Sequence, residues 1–439
     1  MTETDVATKT DAQTGTDGKA QGHTLMSKPN SKPLLARTID HIVAADLAFH
    51  AGSPRPFRLA RLLPGAAKYR NCWLLMDRDT SAHDNAEHLY RYLRDESPDI
   101  NAWFVLSRKS ADWPRLAAEG FRLVPHGSFA HLVALASCKE LVSSQIDHYV
   151  VSPPIVFWLR RRPWRFTWLQ HGVINYDLSG WLNPKPVTTV ITTTPAERAS
   201  MIAKPYVWTE REVVQTGMPR HDALIRKALA VPESDRNLIL VMPTWRRGLL
   251  AGGLGLGNQR RGNAKFWESE YARNWLGLIN SPAVAAAARR AGLAIVFMPH
   301  PTIAPVFAER KPEHVRFADY SEDDVQDLLA HAALVVTDFS SNAFEAALID
   351  RPVLYFQFDK AEFFSGTHIG AAGYFDYERD GFGPVATTLP QAEQALVQLI
   401  AAGQAPQEPY ATRIAQTFTV RDGRASERIV KAIKRHAVQ

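Results

Sequence analysis

A chain of 439 residues is too long for one ordinary core, and its 46% hydrophobic and 22% charged residues are those of a globular protein, not a disordered or fibrous one. Two cysteines, Cys72 and Cys138, exclude a disulfide framework and a cysteine-based metal cage and fit a reducing cytoplasm. No run of about 18 uncharged apolar residues exists to span a membrane, and 51 Lys and Arg against 45 Asp and Glu give a net charge of +6 whose distribution matters more than its sum.

Met1 to Pro33 is rich in Thr, Asp, Gly, Lys and Gln, lacks the apolar core of a signal peptide, and is expected to be disordered. A helix is predicted over Leu35 to His50. Pro54 to Arg70 carries five cations and no acid, with Phe57, Leu59, Leu62 and Leu63 between them. Such a segment suits an anionic bilayer surface; a solvated connector packed on the first domain explains it equally well. Cys72 to Met76 is the first strand, followed by Asp77-Arg78-Asp79 and a helix from Ala82 to Leu93. Strands are predicted at Ala102 to Leu106, Phe121 to Val124 and Lys139 to Ser143, with a helix over Leu132 to Ala136. Phe157 to Trp168 then sets Arg160, Arg161, Arg162 and Arg165 among five aromatics. It is the best sequence candidate for a surface meeting headgroups or an acidic polymer, against a salt-bridged loop whose aromatics are partly core. A strand over Phe166 to Gln170 leads to His171-Gly172. Val187 to Thr192 and Val213-Val214 complete the first series of strands, which alternate with helices as in a parallel sheet.

The alternation restarts at Asn237 to Val241, which puts a domain boundary between residues 225 and 236. That strand runs into Met242-Pro243-Thr244-Trp245-Arg246. The glycine-rich stretch Gly252 to Gly262 has no strand–turn–helix context and reads as a lid or plain disorder, not a dinucleotide fingerprint. Leu293 to Phe297 ends in Met298-Pro299-His300-Pro301, and Val315 to Phe317 is a short strand. A helix over Asp323 to Ala330 precedes the most informative stretch. There, a strand at Leu334 to Val336, the turn Asp338 to Ser341, a helix carrying Phe344, Ala347 and Leu348, and a strand at Val353 to Phe356 make a βαβ unit. Backbone N–H groups at that helix start, with two serine hydroxyls, suit an anion such as phosphate. The last helix, Ala425 to Arg435, puts Ile429, Val430 and Ile433 on one face and Arg428, Lys431, Lys434 and Arg435 elsewhere.

In an open parallel sheet, ligands sit beyond the carboxyl ends of the strands. Four polar clusters fall there: His171-Gly172, Pro243 to Arg246, His300-Pro301 and Asp338 to Ser341. Each alone is weak, since a strand-end histidine is more often structural, Arg246 could be a surface ion pair and Ser340 a helix cap. Together they describe a phosphate chemistry. Arg246 offers a planar cationic fork, Ser340 and Ser341 neutral donors, and His300 a proton or hydrogen bond. His171, on the other half, could take a proton from an acceptor hydroxyl. Glu345 could meet ribose hydroxyls or complement its helix. No H-E-x-x-H, H-x-H or two-metal carboxylate set is present; Asp77-x-Asp79 has metal-transferase spacing but reads better as a strand end and a turn.

The pieces Asp84-Asn85, QHG (Gln170 to Gly172), TGMPRHD (Thr216 to Asp222), MPTWR (Met242 to Arg246), PHP (Pro299 to Pro301), TDFSSNAFEAAL (Thr337 to Leu348), RPVLYF through Asp359, YFDYE (Tyr374 to Glu378) and DGRASERI (Asp422 to Ile429) run in an order that resembles the CDP-glycerol:poly(glycerophosphate) glycerophosphotransferase family. The resemblance covers roughly residues 70 to 435. It implies an α/β, GT-B-like fold: two Rossmann-like domains with parallel sheets facing across a cleft. It places an acceptor-side domain at 34–228 after a disordered tail at 1–33, a nucleotide-donor domain at 229–408, and a C-terminal helix returning to the first domain at 409–439. It implies polyol-phosphate transfer from a CDP-activated donor to a lipid-linked polymer in teichoic-acid-like or capsule synthesis. His171 and His300 would be catalytic, and Thr244, Arg246, Asp338, Ser340, Ser341 and Glu345 would bind the donor. Arg160, Arg161, Arg162 and Arg165 would face the acceptor and the membrane. It implies no metal, no cofactor and no nucleic acid, and a cytoplasmic protein bound peripherally to the inner face of the membrane. One departure is Glu345, where many family members have Asp. A GT-B sugar-nucleotide glycosyltransferase, and a non-catalytic binder of acidic polymers, remain the rival expectations.

Overall fold

Apolar runs of four or five residues, separated by helices, assemble into two parallel sheets. The computed structural model describes residues 65–436 apart from 152–161, 163, 247–248, 250–265, 302, 308–311, 313, 321 and 368–370. The expectations for the tail, for the helix over Leu35 to His50, for most of Pro54 to Arg70, for Arg160 and Arg161 and for the Gly252 to Gly262 stretch therefore lie outside the described residues.

In the first half the strands are β1 (Trp73–Met76), β2 (Ala102–Leu106), β3 (Leu123–Pro125), β4 (Glu140–Ser143), β5 (Arg165–Trp168), β6 (Tyr176–Asp177), β7 (Thr189–Thr192) and β8 (Val213–Gln215). In the second they are β9 (Leu238–Val241), β10 (Ala294–Phe297), β11 (Arg316–Phe317), β12 (Ala332–Thr337), β13 (Val353–Phe356), β14 (Ala371–Ala372) and β15 (Val385–Ala386). The sheet orders are β3-β2-β1-β4-β5-β7-β8 and β11-β10-β9-β12-β13-β15. Register is fixed by pairs such as Trp73 opposite both Ala102 and Glu140, and Leu238 opposite Ala294. In each sheet the chain reverses direction at the first strand, so β1–β4 and β9–β12 are the switch points at which such sheets bind ligands.

Both faces of each sheet are covered, which is why the strands read as unbroken apolar runs. On the second sheet Ile239, Val241, Phe297 and Phe356 face Trp275, while Leu240, Val296, Val335 and Tyr355 face Phe344 and Phe339. Four helices position the site: α1 (Asn85–Glu96), α2 (Pro219–Ala230), α3 (Asn342–Leu348) and α4 (Ala425–His436). Ile429, Val430 and Ile433 of α4 are buried against Leu89 of α1 and Ile191 of β7.

The two sheets belong to one unit and are joined by apolar packing, with Val173, Met218 and Leu224 buried in the second core beside Phe344. They are also joined by the antiparallel pair β6–β14, in which Tyr176 lies opposite Ala372. This is the GT-B-like arrangement expected from the sequence. Among the described residues no helix is long and apolar enough to cross a membrane.

The arginine–aromatic segment departs from the surface expectation where it is described. Trp164, Phe166 and Trp168 are buried, because β5 is an interior strand whose side chains enter the core on both faces. Arg165, at the first position of β5, is paired with Glu140 on the neighbouring strand. It sits at the opposite end of the strand from His171. Likewise, at the end of the preceding basic segment Ala66 and Tyr69 are buried, and Lys68 lies over the rings of Tyr69 and Trp103 at 4.9 and 5.4 Å.

Candidate active site

The site begins with a buried aspartate. Asp77, just past β1, accepts N–H groups from Asp84 (3.1 Å), Ala86 (2.8 Å) and Glu87 (3.1 Å) and the hydroxyl of Ser144 (2.5 Å). Its oxygens are spent on fixing the start of α1. Asp84 caps that helix through Oδ1, which accepts the N–H of Asn85 at 2.8 Å. Its other oxygen, Oδ2, lies 2.6 Å from Nδ1 of His171. The chain reaches His171 through Gln170, a non-glycine residue in the left-handed region at φ 63°. That strain is held by Gln170 itself: its carbonyl accepts from Asn85 at 3.0 Å and its amide donates to Ile191 O at 2.5 Å.

Arg220, in the first turn of α2, ties this tip to the second sheet. Its Nη1 donates to Asp84 Oδ1 at 2.6 Å and to the His171 carbonyl at 2.8 Å, while Nε donates to Glu345 Oε1 at 2.6 Å. The guanidinium is only 13% exposed and stands between two carboxylates that are themselves nearly buried. Burial alone would raise the Asp84 carboxyl. The charges of His171 and Arg220 outweigh it and hold Asp84 well below the usual carboxylate range. Beside them His221 is buried and next to Arg220, which pushes it down to about 3 and keeps it neutral.

On the second sheet the tips of three adjacent strands, β10, β9 and β12, carry His300, Thr244 and Asp338. Asp338 is fully buried. Its Oδ1 accepts the N–H groups of Thr244 (2.9 Å) and Phe339 (2.7 Å), and its Oδ2 accepts from Arg246 at 2.8 Å. Arg246 also donates to Asp359 at 2.6 and 3.0 Å and to the Thr244 carbonyl at 2.8 Å. Four of the five N–H groups of its guanidinium are thus taken, and the Phe339 and Phe363 rings lie 5.1 and 4.9 Å from it. The ring of His300 is 6.2 Å from that of Trp245.

The loop between β12 and α3 differs from the expected anion cradle. The N–H groups of Asn342, Ala343 and Phe344 already bond to Ser340 Oγ, Ser340 O and Ser341 O. This tip still offers a ligand its two half-buried hydroxyls. Its position is fixed from the first sheet, because the Tyr176 hydroxyl donates to Phe339 O. Here the two tips meet: a Cβ on Gly172 would lie 2.3 Å from Ser341 Oγ and 3.1 Å from Ser341 Cβ.

The structure therefore brings His171, Ser341 and Glu345 to one junction and Thr244, Arg246, Asp338 and Ser340 to the adjoining strand tips, with His300 beside Trp245. Glu345, expected toward the donor or its helix, is held by Arg220. Arg165 is not at this junction. Sequence reasoning missed Arg220, the role of Asp84 and that of Asp359. The signal was present in TGMPRHD, but the partners of Arg220 lie 136 and 125 positions away.

Residues 57–435 match the family model described as CDP-Glycerol:Poly(glycerophosphate) glycerophosphotransferase. The chain belongs to this family. The minor teichoic acid biosynthesis protein GgaB of Bacillus subtilis (strain 168) is 30% identical over 367 residues, which is 82% of this chain and 39% of that protein. The teichoic acid poly(glycerol phosphate) polymerase of the same strain is 23% identical over 385 residues, 80% of this chain and 46% of its own length. This glycerophosphotransferase-family chain thus spans less than half the length of these two relatives. Among solved structures, the wall teichoic acid polymerase TagF superposes with a TM-score of 0.59 at 18% identity, covering 92% of this chain and 98% of that one. S. aureus MnaA with UDP does so at 0.53 and 15%, covering 83% and 96%. At these identities the likeness speaks for a shared GT-B fold.

Proposed function

We propose that this protein transfers glycerol phosphate, or a related polyol phosphate, from its CDP ester to a hydroxyl of a lipid-linked polymer or primer in teichoic-acid-like or capsule synthesis. The observation that carries the reading is the meeting of the two tips, with His171 oriented by Asp84 on one side and Ser341 of the β12 loop on the other. Ionised Asp84 can only accept, so Nδ1 of His171 carries the proton and Nε2 is the basic nitrogen. In the proposed step Nε2 takes the proton of the acceptor hydroxyl. The oxygen attacks the phosphorus that bears the polyol, the bond to CMP breaks, and CMP leaves with the bridging oxygen. Catalysis of this kind is positioning plus charge stabilisation.

In this reading the first half, with residues 34–228, serves the acceptor, and residues 229–408 hold the donor. Residues 409–439 return to the first half. Thr244, Ser340, Ser341 and His300 meet the diphosphate. Arg246 acts one step back, as a positioning residue that holds Asp338 and Asp359. Attachment to the inner face of the membrane follows from a lipid-linked acceptor and belongs to the same proposal.

The test is CMP release, and mass spectrometry of the product, with a lipid-primer analogue and either CDP-glycerol or CDP-ribitol. Turnover is expected with one CDP-polyol and should fall by about 10² to 10⁴ in His171→Ala. Full activity of that variant would remove the base assignment, and turnover of a UDP-sugar instead would replace the donor class.

A further inference from the structure

Away from the cleft, β8 and α4 enclose an open groove of about 410 Å³. β8 is the edge strand of the first sheet. The groove is lined by Gln215 and Thr216 on the strand side and by Arg428, Lys431, Lys434 and Arg435 on the helix side, with no carboxylate in the lining. α4 puts them there because its apolar residues are used up in the core. Ile429, Val430 and Ile433 are buried, and the cations three and four positions apart form a stripe on the outer face. From Arg428 to Arg435 the stripe runs about 10 Å along the helix.

The two ends of the groove matter. At one, Arg428 Nε donates to the Thr216 carbonyl at 2.9 Å, and Thr216 leads through Gly217 to Arg220 and the junction with His171. At the other, the helix ends at His436, which burial and then Arg211 and Arg435 push below its ordinary value against the opposing Glu212. The acids nearby lie outside the lining. Asp422 pairs with Arg428 at 2.8 Å, Glu427 with Lys431 at 2.5 Å and Asp99 with Lys434 at 3.4 Å. Lys431 and Lys434 are at least half exposed in these pairs, and such contacts yield readily to a phosphate.

We propose that this groove binds the already-built part of a linear phosphodiester chain, so that a growing polyol-phosphate polymer lies along α4 while its terminal hydroxyl reaches His171. The proposal rests on the transfer reading above and extends it to the acceptor. A single phosphate would gain little from a row of cations; a repeating anion gains at each one and releases counterions along its length.

The test compares the full chain with Lys431→Gln/Lys434→Gln/Arg435→Gln, whose side chains are exposed, and with the matching triple Glu variant. The acceptors are synthetic glycerol-phosphate oligomers of one unit and of about ten units, and direct binding of the longer oligomer is measured in parallel. Wild type should favour the long acceptor through a lower KM, by about tenfold or more at low salt. The Gln variant should lose that preference with kcat and one-unit activity unchanged, and the Glu variant should bind the oligomer more weakly still. An intact length preference in both variants overturns the groove. So does a variant that loses only binding to phosphatidylglycerol vesicles, which would make the stripe a membrane contact. If wild type turns over neither acceptor, the transfer reading fails, and the direct binding comparison still decides whether the groove holds the chain.

Discussion

Nδ1 of His171 lies 2.6 Å from Oδ2 of Asp84, across 87 positions of sequence. In the proposed reading the pair leaves the basic Nε2 for the substrate as long as Asp84 stays an anion, and its depressed carboxyl keeps it one throughout the neutral range. Asp84→Asn can present its amide in either orientation and no longer dictates the tautomer. We expect kcat to fall by about 10² to 10⁴, with a smaller change in KM for the CDP-polyol, because in the proposed reading Asp84 orients the acceptor-side base and reaches the second sheet only through Arg220. A steady-state comparison checks this; equal losses in kcat and donor affinity would show that Asp84 does something other than orient the ring.

The contact between Gly172 and Ser341 gives a second expectation. Gly172 does not use the left-handed region, so its backbone accepts alanine without strain. The new methyl, however, would sit 2.3 Å from Ser341 Oγ. In Gly172→Ala the Ser341 hydroxyl must rotate away and its Cβ must give by a few tenths of an ångström, and a shift that reaches the reacting atoms costs up to on the order of 10²-fold in rate. The expected result is a large fall in kcat/KM with a small change in Tm, and partial recovery when Ser341→Gly is added. Unchanged kinetics in the single variant would mean that the tips do not need to meet.

Much of the fold was legible because interior parallel strands must be apolar on both faces, and the runs at Trp73–Met76, Leu238–Val241 and Ala332–Thr337 are. The same rule explains the misreading of Trp164, Phe166 and Trp168. Arginines beside aromatics resemble a surface patch, yet β5 buries the aromatics and Glu140 neutralises Arg165. Strands β6 and β14 have two residues each and no periodicity to read. The strand-end clusters at His171, Thr244 to Arg246, His300 and Asp338 to Ser341 could be found because topology alone places them. Arg220 could not be assigned a role that way: both its carboxylates are more than a hundred residues distant, and nothing local distinguishes it from a surface cation.

Glu87 allows a pH test of the first half. It is buried, and burial raises its carboxyl, but hydrogen bonds from Arg115 and the charge of Arg91 bring it down to about 2. A carboxyl depressed in the folded state stabilises the protein above its unfolded value of about 4.3, and that contribution disappears as pH falls through about 2. The shift corresponds to on the order of 3 kcal/mol. Glu87→Gln should therefore melt well below wild type at pH 7, and the gap should narrow as pH drops from about 4.3 toward 2. A gap that is constant with pH would assign the loss to packing and not to charge.

Arg220 should be the costliest single cation to remove. It satisfies Asp84, Glu345 and the His171 carbonyl at once, in a site where its own side chain and those of Asp84 and Glu345 are nearly buried. Removing one partner of a buried network leaves its charges uncompensated, typically at a cost of about 3–5 kcal/mol. Arg220→Met is expected to lower stability by that amount in denaturant unfolding. Arg220→Lys should recover only part, because an ammonium cannot reproduce the fork that reaches both carboxylates. Neutralising the partners in the same chain, as Arg220→Met/Asp84→Asn/Glu345→Gln, should restore most of the lost stability while the proposed turnover stays at least as low as in Asp84→Asn, since His171 then has no anion to orient it. High salt should change these differences little, because screening acts weakly on buried pairs. If Arg220→Met unfolds at the same denaturant concentration as wild type, the bridge contributes nothing, and the junction is held by the apolar packing of Val173 and Met218, the β6–β14 pair and the Tyr176–Phe339 contact.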